Sequence, residues 1–424
     1  MKTHALCTTS LCVMALASWV VVYSAAAQAQ SASTVLSATA VGIPEGDWAS
    51  LPGEQPVSVM MNLAGPLVHA DAARTKYPTI NGAGYTVAIL DTGVDKTHPA
   101  LAGRYMGGYD FVNNDSTPDD DNGHGTHVCG IAASNDATYT GIAPQAGYAA
   151  VKVMNSSGSG SWSTIESGLQ WVIANRQAEN IVAVNMSFGT SEIYNSHVTD
   201  IISDELATLK NAGVFIAVSS GNGWKSHTPN QGVAYPAADP SAVSVGAVWS
   251  GNFGGIQWST GAIDYTTAAD RVVSITDRST TMLDILAPGA IITSANSNWE
   301  GGNADFVPMG GTSMAVPAVA GLAVLIHEAI DEKWSPALRP TGAGWQDTIL
   351  QIMQDHGVAV YDGDDEDDNV ANLNYTFKRI DVLGALDYVA SVPEPGTLVM
   401  LLGFAVMSLV WYARRLTSLA RNGG

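Results

Sequence analysis

Four side chains, far apart in the chain, are of the types that acyl-transfer chemistry uses. In chain order they are Asp91, His124, Asn222 and Ser313. A serine nucleophile needs a base that takes its proton and N–H groups that stabilise an oxyanion. A carboxylate, an imidazole and an amide supply these functions if the fold brings them to one place.

Ser313 follows Gly310 and Gly311, and an apolar run of small residues, 315–330, comes after it. Glycines allow a sharp turn, and the run has the periodicity of a buried helix. We therefore expect Ser313 at a helix N-terminus, where backbone N–H groups and the helix dipole favour negative charge. The alternative is an ordinary glycine turn into a core helix with a capping Ser or Thr.

The other two motifs also have structural alternatives. His124 lies between glycines and begins a short apolar stretch, and its spacing from His127 could suggest zinc. No Glu or Cys pattern completes a zinc site. Asn222 follows Gly221, which is typical of a turn, but its amide could instead donate to an oxyanion.

The elements that must position these residues alternate between two kinds. Apolar, partly β-branched runs occur at 85–90, 148–154, 181–186, 214–218 and 243–248, with helical stretches near 164–176 and 199–210. Continuous apolar runs are typical of buried parallel strands. The alternation predicts an α/β fold with an open, mostly parallel sheet. Asp91, Ser187 and Asn222 each come just after a predicted strand, where such sheets place their chemistry.

These motifs, in this order, resemble the subtilisin-like serine proteases, the subtilase family. The matching runs are Asp91 to Gly93, His124 to His127, Ser220 to Asn222 and Gly311 to Ala315. The resemblance covers roughly residues 60–390 and implies a subtilisin-like, mostly parallel central sheet with helices on both faces. It also implies that Ser313 is the nucleophile, His124 the base, and Asp91 the residue that orients the imidazole. Asn222 and the Ser313 N–H would form the oxyanion hole.

The resemblance further implies that substrate binds as an added strand between two edges. The substrate-binding residues that it implies are Gly158, Ser159, Gly160, Trp162, Ser187, Phe188, Gly189, Ser220 and Gly221. Trp162 would overhang a subsite upstream of the cut, and Phe188 with residues 219–221 would line the pocket beside it. A flexible Gly/Ser loop around 156–161 and ordinary packing of Trp162 are the alternatives.

Two features depart from the family pattern. Residues 249–282 look like an insertion relative to the smallest family members, and their aromatic residues suggest an extra hairpin on the surface. The segment 30–59 reads as a linker or short pro-segment, shorter than a folded inhibitory pro-domain. Cys129, one turn after His124, is expected to be a buried small residue rather than a second nucleophile.

Both ends of the chain read as targeting signals. Residues 1–29 have a short apolar run and small residues typical of a secretory signal peptide. In 391–424, Pro393, Glu394 and Pro395 precede an apolar run and an arginine pair, which resembles the PEP-CTERM sorting signal of exported bacterial proteins. The expected partner is an exosortase-like membrane peptidase, and the span would hold the protein in the membrane before processing. An ordinary C-terminal anchor is the alternative.

Charge and cysteine content narrow the class of protein. The formal net charge of −21 argues against nucleic-acid binding. Cys7 and Cys12 fall in the signal peptide, so Cys129 remains alone and no internal disulfide is expected. The chemistry needs no cofactor. The acidic runs 119–121 and 362–368 could hold structural Ca²⁺, although exposed acidic loops are the simpler interpretation.

The sequence therefore predicts an exported serine endopeptidase of the cell envelope or extracellular space, acting on a polypeptide substrate. A non-catalytic surface or matrix-binding protein that keeps the fold is the main alternative. A dedicated processing enzyme for one envelope protein is another.

Overall fold

The computed structural model describes residues 37–40, 48–52, 64–297, 306–363 and 367–392. The strands are β1 Ser37–Ala40, β2 Trp48–Ser50, β3 Thr86–Asp91, β4 Tyr105–Asp110, β5 Gly147–Lys152, β6 Ser159–Ser161, β7 Ile181–Met186, β8 Phe188–Gly189, β9 Ile193–Tyr194, β10 Phe215–Ser219, β11 Val233–Ala234, β12 Val243–Val248, β13 Ile256–Trp258, β14 Ile263–Asp264, β15 Ile285–Pro288, β16 Ile292–Ala295, β17 Phe306–Met309, β18 Val358–Asp362 and β19 Tyr375–Arg379. The helices are α1 Ala64–Leu67, α2 Ala70–Lys76, α3 His124–Ala133, α4 Trp162–Asn175, α5 Ser203–Asn211, α6 Trp224–His227, α7 Thr312–Lys333, α8 Gly344–Asp355 and α9 Val382–Ser391.

The centre of the fold is a nine-stranded sheet in the order β18-β19-β15-β12-β10-β7-β3-β5-β4. Neighbouring strands are parallel from β4 through β19, and only the edge strand β18 is antiparallel to its neighbour. This confirms the predicted mostly parallel α/β architecture. The five predicted strands match β3, β5, β7, β10 and β12 to within two residues at each end.

Both faces of the sheet are buried, which explains the continuous apolar runs. Along β3, Val87 and Ile89 point into one hydrophobic cluster, whereas Ala88 and Leu90 point into a second. Helices α3 and α7 fill the first cluster, and α4 and α5 fill the second. A strand covered on both faces cannot alternate apolar and polar residues, so period-two patterning is absent.

Within the described residues, α7 is the one helix long and apolar enough to cross a membrane. It lies in the middle of the fold, with every residue from Thr312 to Ile326 buried, so it is a core helix. The predicted signal peptide and the C-terminal apolar run both lie outside the described residues.

The segment 249–282 is not the surface hairpin that its aromatic residues suggested. A short hairpin, β13–β14, does form, but Trp249 and Trp258 are buried, and both indole N–H groups donate to the carboxylate of Asp264 at 3.0 and 2.7 Å. Buried indoles need an acceptor, and Asp264 supplies it. The segment is therefore an integral part of the core, and of its aromatic residues Tyr265 is the exposed one.

Candidate active site

Three adjacent parallel strands bring the predicted residues to one end of the sheet. The register pairs Leu90 of β3 and Val218 of β10 with Met186 of the strand between them, β7. The next residue after Leu90 is Asp91, the next after Met186 is Ser187, and Asn222 follows soon after β10 ends. Since carboxyl ends of parallel strands share one edge, these residues converge although they are far apart in sequence.

Asp91 and His124 form a buried hydrogen-bonded pair. The imidazole Nδ1 lies 2.8 Å from Asp91 Oδ1, which also accepts the Thr92 N–H at 2.7 Å. The Asp91 side chain is fully buried and His124 is only 5% exposed. Burial lowers the pKa of His124, but the charge and hydrogen bond of Asp91 outweigh it, so that this pKa is raised above 6.5.

Glycines make that pairing possible. Gly123 precedes α3 with φ of 106°, a conformation that favours glycine. A Cβ on Gly125 would lie 2.0 Å from the carbonyl oxygen of Gly93, so a side chain there would push α3 away from the end of β3. The glycines on both sides of His124 therefore serve the close approach of α3 to Asp91.

The first turn of α7 carries Ser313, after Gly311 with φ of 147°. The Ser313 hydroxyl donates to the Ser187 carbonyl at 3.1 Å, and the Ser187 hydroxyl donates to the Ser313 carbonyl at 2.9 Å. This reciprocal pair ties the start of α7 to the end of β7, directly beside Asp91. His124 Nε2 is buried and has no hydrogen-bond partner within the described part of the chain. The serine-to-histidine bond is therefore not formed here, and the hydroxyl must leave Ser187 to make it.

Asn222 is held by the residue before Ser313. Its Oδ1 accepts both the N–H and the hydroxyl of Thr312, each at 2.9 Å. Because the amide oxygen is committed to Thr312, the orientation of the side chain is fixed, and Nδ2 is directed to the opposite side. Sequence reasoning missed this role of Thr312, although the residue lies inside the motif that it used.

An extended segment lies between the two predicted substrate edges. Strand β1 is antiparallel to β6, with Ala38 opposite Gly160, and antiparallel to β8, with Thr39 opposite Gly189. The predicted edges are thus far enough apart to accept one strand, and residues 37–40 supply it. These residues fall in the segment expected to be a linker or short pro-segment, and β2 of the same segment pairs with β13.

The remaining predicted substrate residues lie around these edges. Gly158, with φ of 68°, makes the turn into β6, and Ser220 donates its N–H to Val245 O at 2.9 Å. Phe188 is fully buried, and Trp162 is 4% exposed, edge-to-face with Tyr235 at 5.3 Å between ring centroids. The Trp162 ring belongs to the second hydrophobic cluster, which favours the packing alternative.

His127 and Cys129, on the same helix as His124, have structural positions. His127 Nε2 lies 3.0 Å from both the Ile292 and Val307 carbonyls, so it serves as a donor. Burial, aided by the nearby His124, lowers the pKa of His127 to about 3 and keeps the ring neutral. Its Nε2 is therefore not open to zinc. Cys129 is fully buried, and burial raises the pKa of its thiol, which makes it a poor nucleophile.

The acidic run 119–121 does not fit a calcium ion, because each carboxylate has a different protein partner. Asp119 pairs with Lys96 at 2.9 Å and Asp121 with Lys152, whereas Asp120 accepts the backbone N–H groups of Gly123 and Thr126, both at 2.9 Å. Asp120 thus shapes the loop before His124. No group of three or more His, Cys, Asp or Glu side chains that could hold a metal occurs in the described ranges.

The second acidic run gives no better calcium site where it is described. Asp362 is fully buried beside Arg278, with 3.3 Å between Oδ2 and Nε, and it accepts the Leu373 N–H at 2.9 Å. Residues 364–366 lie outside the described ranges. A carboxylate engaged by a buried guanidinium is already compensated in charge.

Comparison with known proteins identifies the family of this chain. The subtilase family matches residues 82–360, and the PEP-CTERM protein-sorting motif matches residues 391–415. Serine protease AprX of Bacillus subtilis is 34% identical over 292 residues, 64% of this chain and 63% of that protein. Thermitase of Thermoactinomyces vulgaris is 34% identical over 248 residues (58% and 75%), and subtilisin E of Bacillus subtilis 36% over 262 residues (60% and 59%). The chain thus spans about three fifths of AprX and subtilisin E. It belongs to the subtilase family.

Proposed function

We propose that this protein is an exported serine endopeptidase whose catalytic domain comprises residues 60–390. The observation that carries the proposal is the buried Asp91–His124 hydrogen bond of 2.8 Å at the sheet edge where Ser313 and Asn222 also lie. A buried imidazole oriented by a carboxylate beside a serine is the arrangement that activates a hydroxyl for attack. Names such as serine protease AprX and thermitase, among the relatives, support the same reaction.

In the proposed reaction the Ser313 hydroxyl turns from the Ser187 carbonyl to His124 Nε2. His124 takes the proton as Oγ attacks the peptide carbonyl, and Asp91 stabilises the imidazolium. The oxyanion accepts hydrogen bonds from Asn222 Nδ2 and the Ser313 N–H. His124 then protonates the leaving amine, and a water molecule hydrolyses the acyl-enzyme by the same steps. No cofactor takes part in these steps.

The proposed substrate is an extended polypeptide that binds as a strand between β6 and β8. The seating of β1 there supports this mode, because Gly160 and Gly189 offer backbone partners without side chains in the way. Gly158, Ser159, Ser187, Phe188, Ser220 and Gly221 remain proposed contacts. Trp162 would act from below β6, by supporting the edge.

We also propose that the signal in 1–29 directs export and that 391–424 is a sorting signal. The match of 391–415 to the PEP-CTERM motif supports sorting by an exosortase-like peptidase, with membrane attachment until the signal is processed. The catalytic domain would then act in the cell envelope or outside the cell.

The test is hydrolysis of casein by the purified protein together with labelling by a fluorophosphonate. We expect both, with the label on Ser313 by mass spectrometry. Folded protein that neither cleaves casein nor takes the label would reject catalysis and favour the non-catalytic surface protein. Cleavage confined to one envelope protein would favour the dedicated processing enzyme.

The fall of kcat/KM at acid pH, called the acid limb below, should follow the protonation of His124. Because its pKa is raised above 6.5 and the imidazolium cannot accept the serine proton, kcat/KM should rise with pH through that pKa. Asp91→Asn removes the charge that raises this pKa, so the limb should move to lower pH, and kcat should fall about 10⁴-fold. The measurement is kcat/KM against pH.

The matched control for Asp91→Asn is Asp119→Asn. This carboxylate is exposed and pairs with Lys96, so its loss should leave the position of the limb unchanged. An acid limb that stays in place in Asp91→Asn would mean that another group sets it.

Strand β1 should compete with substrate. A tethered segment that occupies the cleft most of the time reduces the competent fraction, and the apparent KM rises in proportion, by roughly tenfold at 90% occupancy. Thr39→Pro removes an N–H from a residue that pairs with both edges, so it should lower KM by about that factor with kcat unchanged.

Ser33→Pro, which changes a residue before β1 in the sequence, is the control for Thr39→Pro. Both variants should be compared in protein whose N-terminus has been checked by mass spectrometry, since autolysis before Tyr85 would remove the segment from either. Equal KM values in intact Thr39→Pro and intact control protein would contradict competition by β1.

A further inference from the structure

The loop that carries Asn222 is held from behind by a carboxylate of the segment 249–282. Asp277 donates its own N–H to the Gly221 carbonyl at 2.9 Å, and its Oδ2 accepts the Gly223 N–H at 2.9 Å. The residues on both sides of Asn222 are therefore bonded to the same aspartate. Asp277 is 2% exposed, so water does not compete for these bonds.

The contact is close enough to require glycine. Gly221 has φ of 113°, and a Cβ placed there would lie 2.3 Å from Asp277 Oδ2. The backbone of the loop thus lies directly against the carboxylate. On the other side, Asn222 is held by Thr312, so the amide is fixed between the start of α7 and Asp277.

The second oxygen of Asp277 binds a histidine that reaches the substrate edge. His227 Nδ1 lies 2.8 Å from Asp277 Oδ1, and its Nε2 lies 3.0 Å from the carbonyl of Ser191, just after β8. Both ring nitrogens face acceptors. A neutral imidazole has one N–H and satisfies one of them, whereas an imidazolium donates to both. The protonated ring therefore links Asp277 to the chain that follows β8.

We infer that Asp277 is a positioning residue for the loop 221–223, which carries Asn222 and is called the oxyanion loop below. Protonated His227 donates to both Asp277 and the Ser191 carbonyl and so connects the oxyanion loop to the substrate edge. This set of contacts, called the brace below, loosens when His227 loses its proton. This inference rests on the proposed function, because it gives Asn222 its catalytic purpose. It assigns a task to a segment that the sequence marked only as an insertion.

The charges around His227 favour its protonated form. The hydrogen bond that His227 donates to Asp277 raises the pKa of His227, partial burial lowers it, and the charge of Asp277 and the Ser191 carbonyl add to the increase. The brace is therefore complete below the ordinary histidine pKa of 6.5 and is lost as pH rises through the raised value.

Other charged groups near His227 are engaged elsewhere. Arg278 lies over the Trp224 ring, 4.9 Å from its centroid, and beside Asp362. Lys225 of α6 donates to Asn369 O at 2.6 Å, and Glu192, after Ser191, accepts from Tyr194 at 3.1 Å. Asp277 is therefore the carboxylate that sets the protonation of His227.

The variants Asp277→Asn and His227→Gln test the brace. In Asp277→Asn we expect kcat to fall by up to about 10²-fold, because a misplaced donor weakens transition-state binding more than substrate binding, with KM changed less than about threefold. In His227→Gln, kcat should fall by less. Wild-type kcat should decline as pH rises through the pKa of His227, and this decline should be absent in His227→Gln. The acid limb set by His124 should stay in place in both.

Asp284→Asn is the matched control. Asp284 is a half-buried aspartate just after this segment, and its carboxylate accepts the Ser244 N–H at 2.8 Å without touching the loop that carries Asn222. It should lose stability as Asp277→Asn does, but keep the wild-type kcat and pH profile. Melting temperatures of all three variants separate loss of folding from a misplaced Asn222 amide. If Asp277→Asn does not fold, the kcat and pH profile of His227→Gln test the inference.

Two measurements in the Ser313→Ala background do not depend on catalytic activity. They are hydrogen exchange of the Gly223 N–H and NMR titration of His227. Protection of Gly223 should fall as His227 deprotonates, and it should be low at every pH in Asp277→Asn. If the wild type hydrolyses no substrate, the proposed function is wrong. The exchange of the Gly223 N–H and the titration of His227 then still test whether the brace exists. Two results would overturn the inference. One is a wild-type kcat and pH profile in Asp277→Asn, and the other is protection of the Gly223 N–H that does not change as His227 titrates.

Discussion

Replacing Ser313 with alanine is expected to reduce peptide hydrolysis by about 10⁶-fold and to abolish fluorophosphonate labelling. The magnitude is the one measured for the serine of subtilisin, to which this chain is similar. The loss is nearly complete because the other groups act through the hydroxyl: without Oγ, the Asp91–His124 pair has no proton to take. Cys129 cannot substitute, since it is fully buried and burial raises its pKa.

Ser244→Ala is the matched control for this variant. Ser244 is also fully buried, but it lies near the start of β12, at the opposite end of the sheet from the proposed nucleophile. Losing its hydroxyl should cost about 1 kcal/mol of stability and leave labelling intact. Covalent labelling of Ser313→Ala at the wild-type rate would show that the nucleophile is another residue.

The structure shows where the Ser313 hydroxyl lies before substrate binds. This hydroxyl donates to the Ser187 carbonyl, a neutral acceptor that cannot take up the proton, whereas His124 Nε2 is buried and has no hydrogen-bond partner among the residues that the structure describes. A rotation of the Ser313 side chain toward His124 Nε2 would replace this neutral acceptor by a base that can take the proton. We therefore expect the Ser313 hydroxyl to turn to His124 when substrate binds.

The strands nearest the site were predictable because their signal is local. The residues of β3, β7 and β12 are buried on both faces, so each strand is mostly apolar without a period-two alternation of polar residues. By contrast, β4 contains Gly107 and Gly108 and little apolar sequence, and it owes its strand form to pairing with β5. Non-local pairing of this kind has no mark in the sequence of the strand itself.

The features of the candidate site also divide into those that a local sequence pattern predicts and those that depend on contacts between distant segments. The positions of Asp91 and Ser187 follow from strand ends, and the glycines around His124 mark a close approach. The tie between Asn222 and Thr312 depends on two segments that meet only in three dimensions. The same holds for Asp277, which has no motif of its own, and for the burial of Trp249 and Trp258, which a surface hairpin would have exposed.

Asn222→Ala is expected to lower kcat by about 10²–10³-fold with KM within about threefold of wild type. That magnitude is the one measured for the oxyanion amide of subtilisin. The amide oxygen already accepts both Thr312 donors, so the side chain costs no reorganisation when the oxyanion forms. An interaction gained only in the transition state changes kcat and leaves substrate binding nearly unaltered.

Asn222→Asp separates orientation from donation. The carboxylate can still accept the two Thr312 hydrogen bonds, but it offers no N–H and repels the oxyanion, so kcat should fall at least as far as in the alanine variant. Thr312→Val keeps the backbone N–H and loses the hydroxyl, and its kcat should lie between those of wild type and Asn222→Ala. Steady-state kcat and KM on one peptide substrate measure all three. If Asn222→Ala raised KM and left kcat unchanged, the amide would bind the ground state and the transition state equally, and the oxyanion hole would have to be built from other donors.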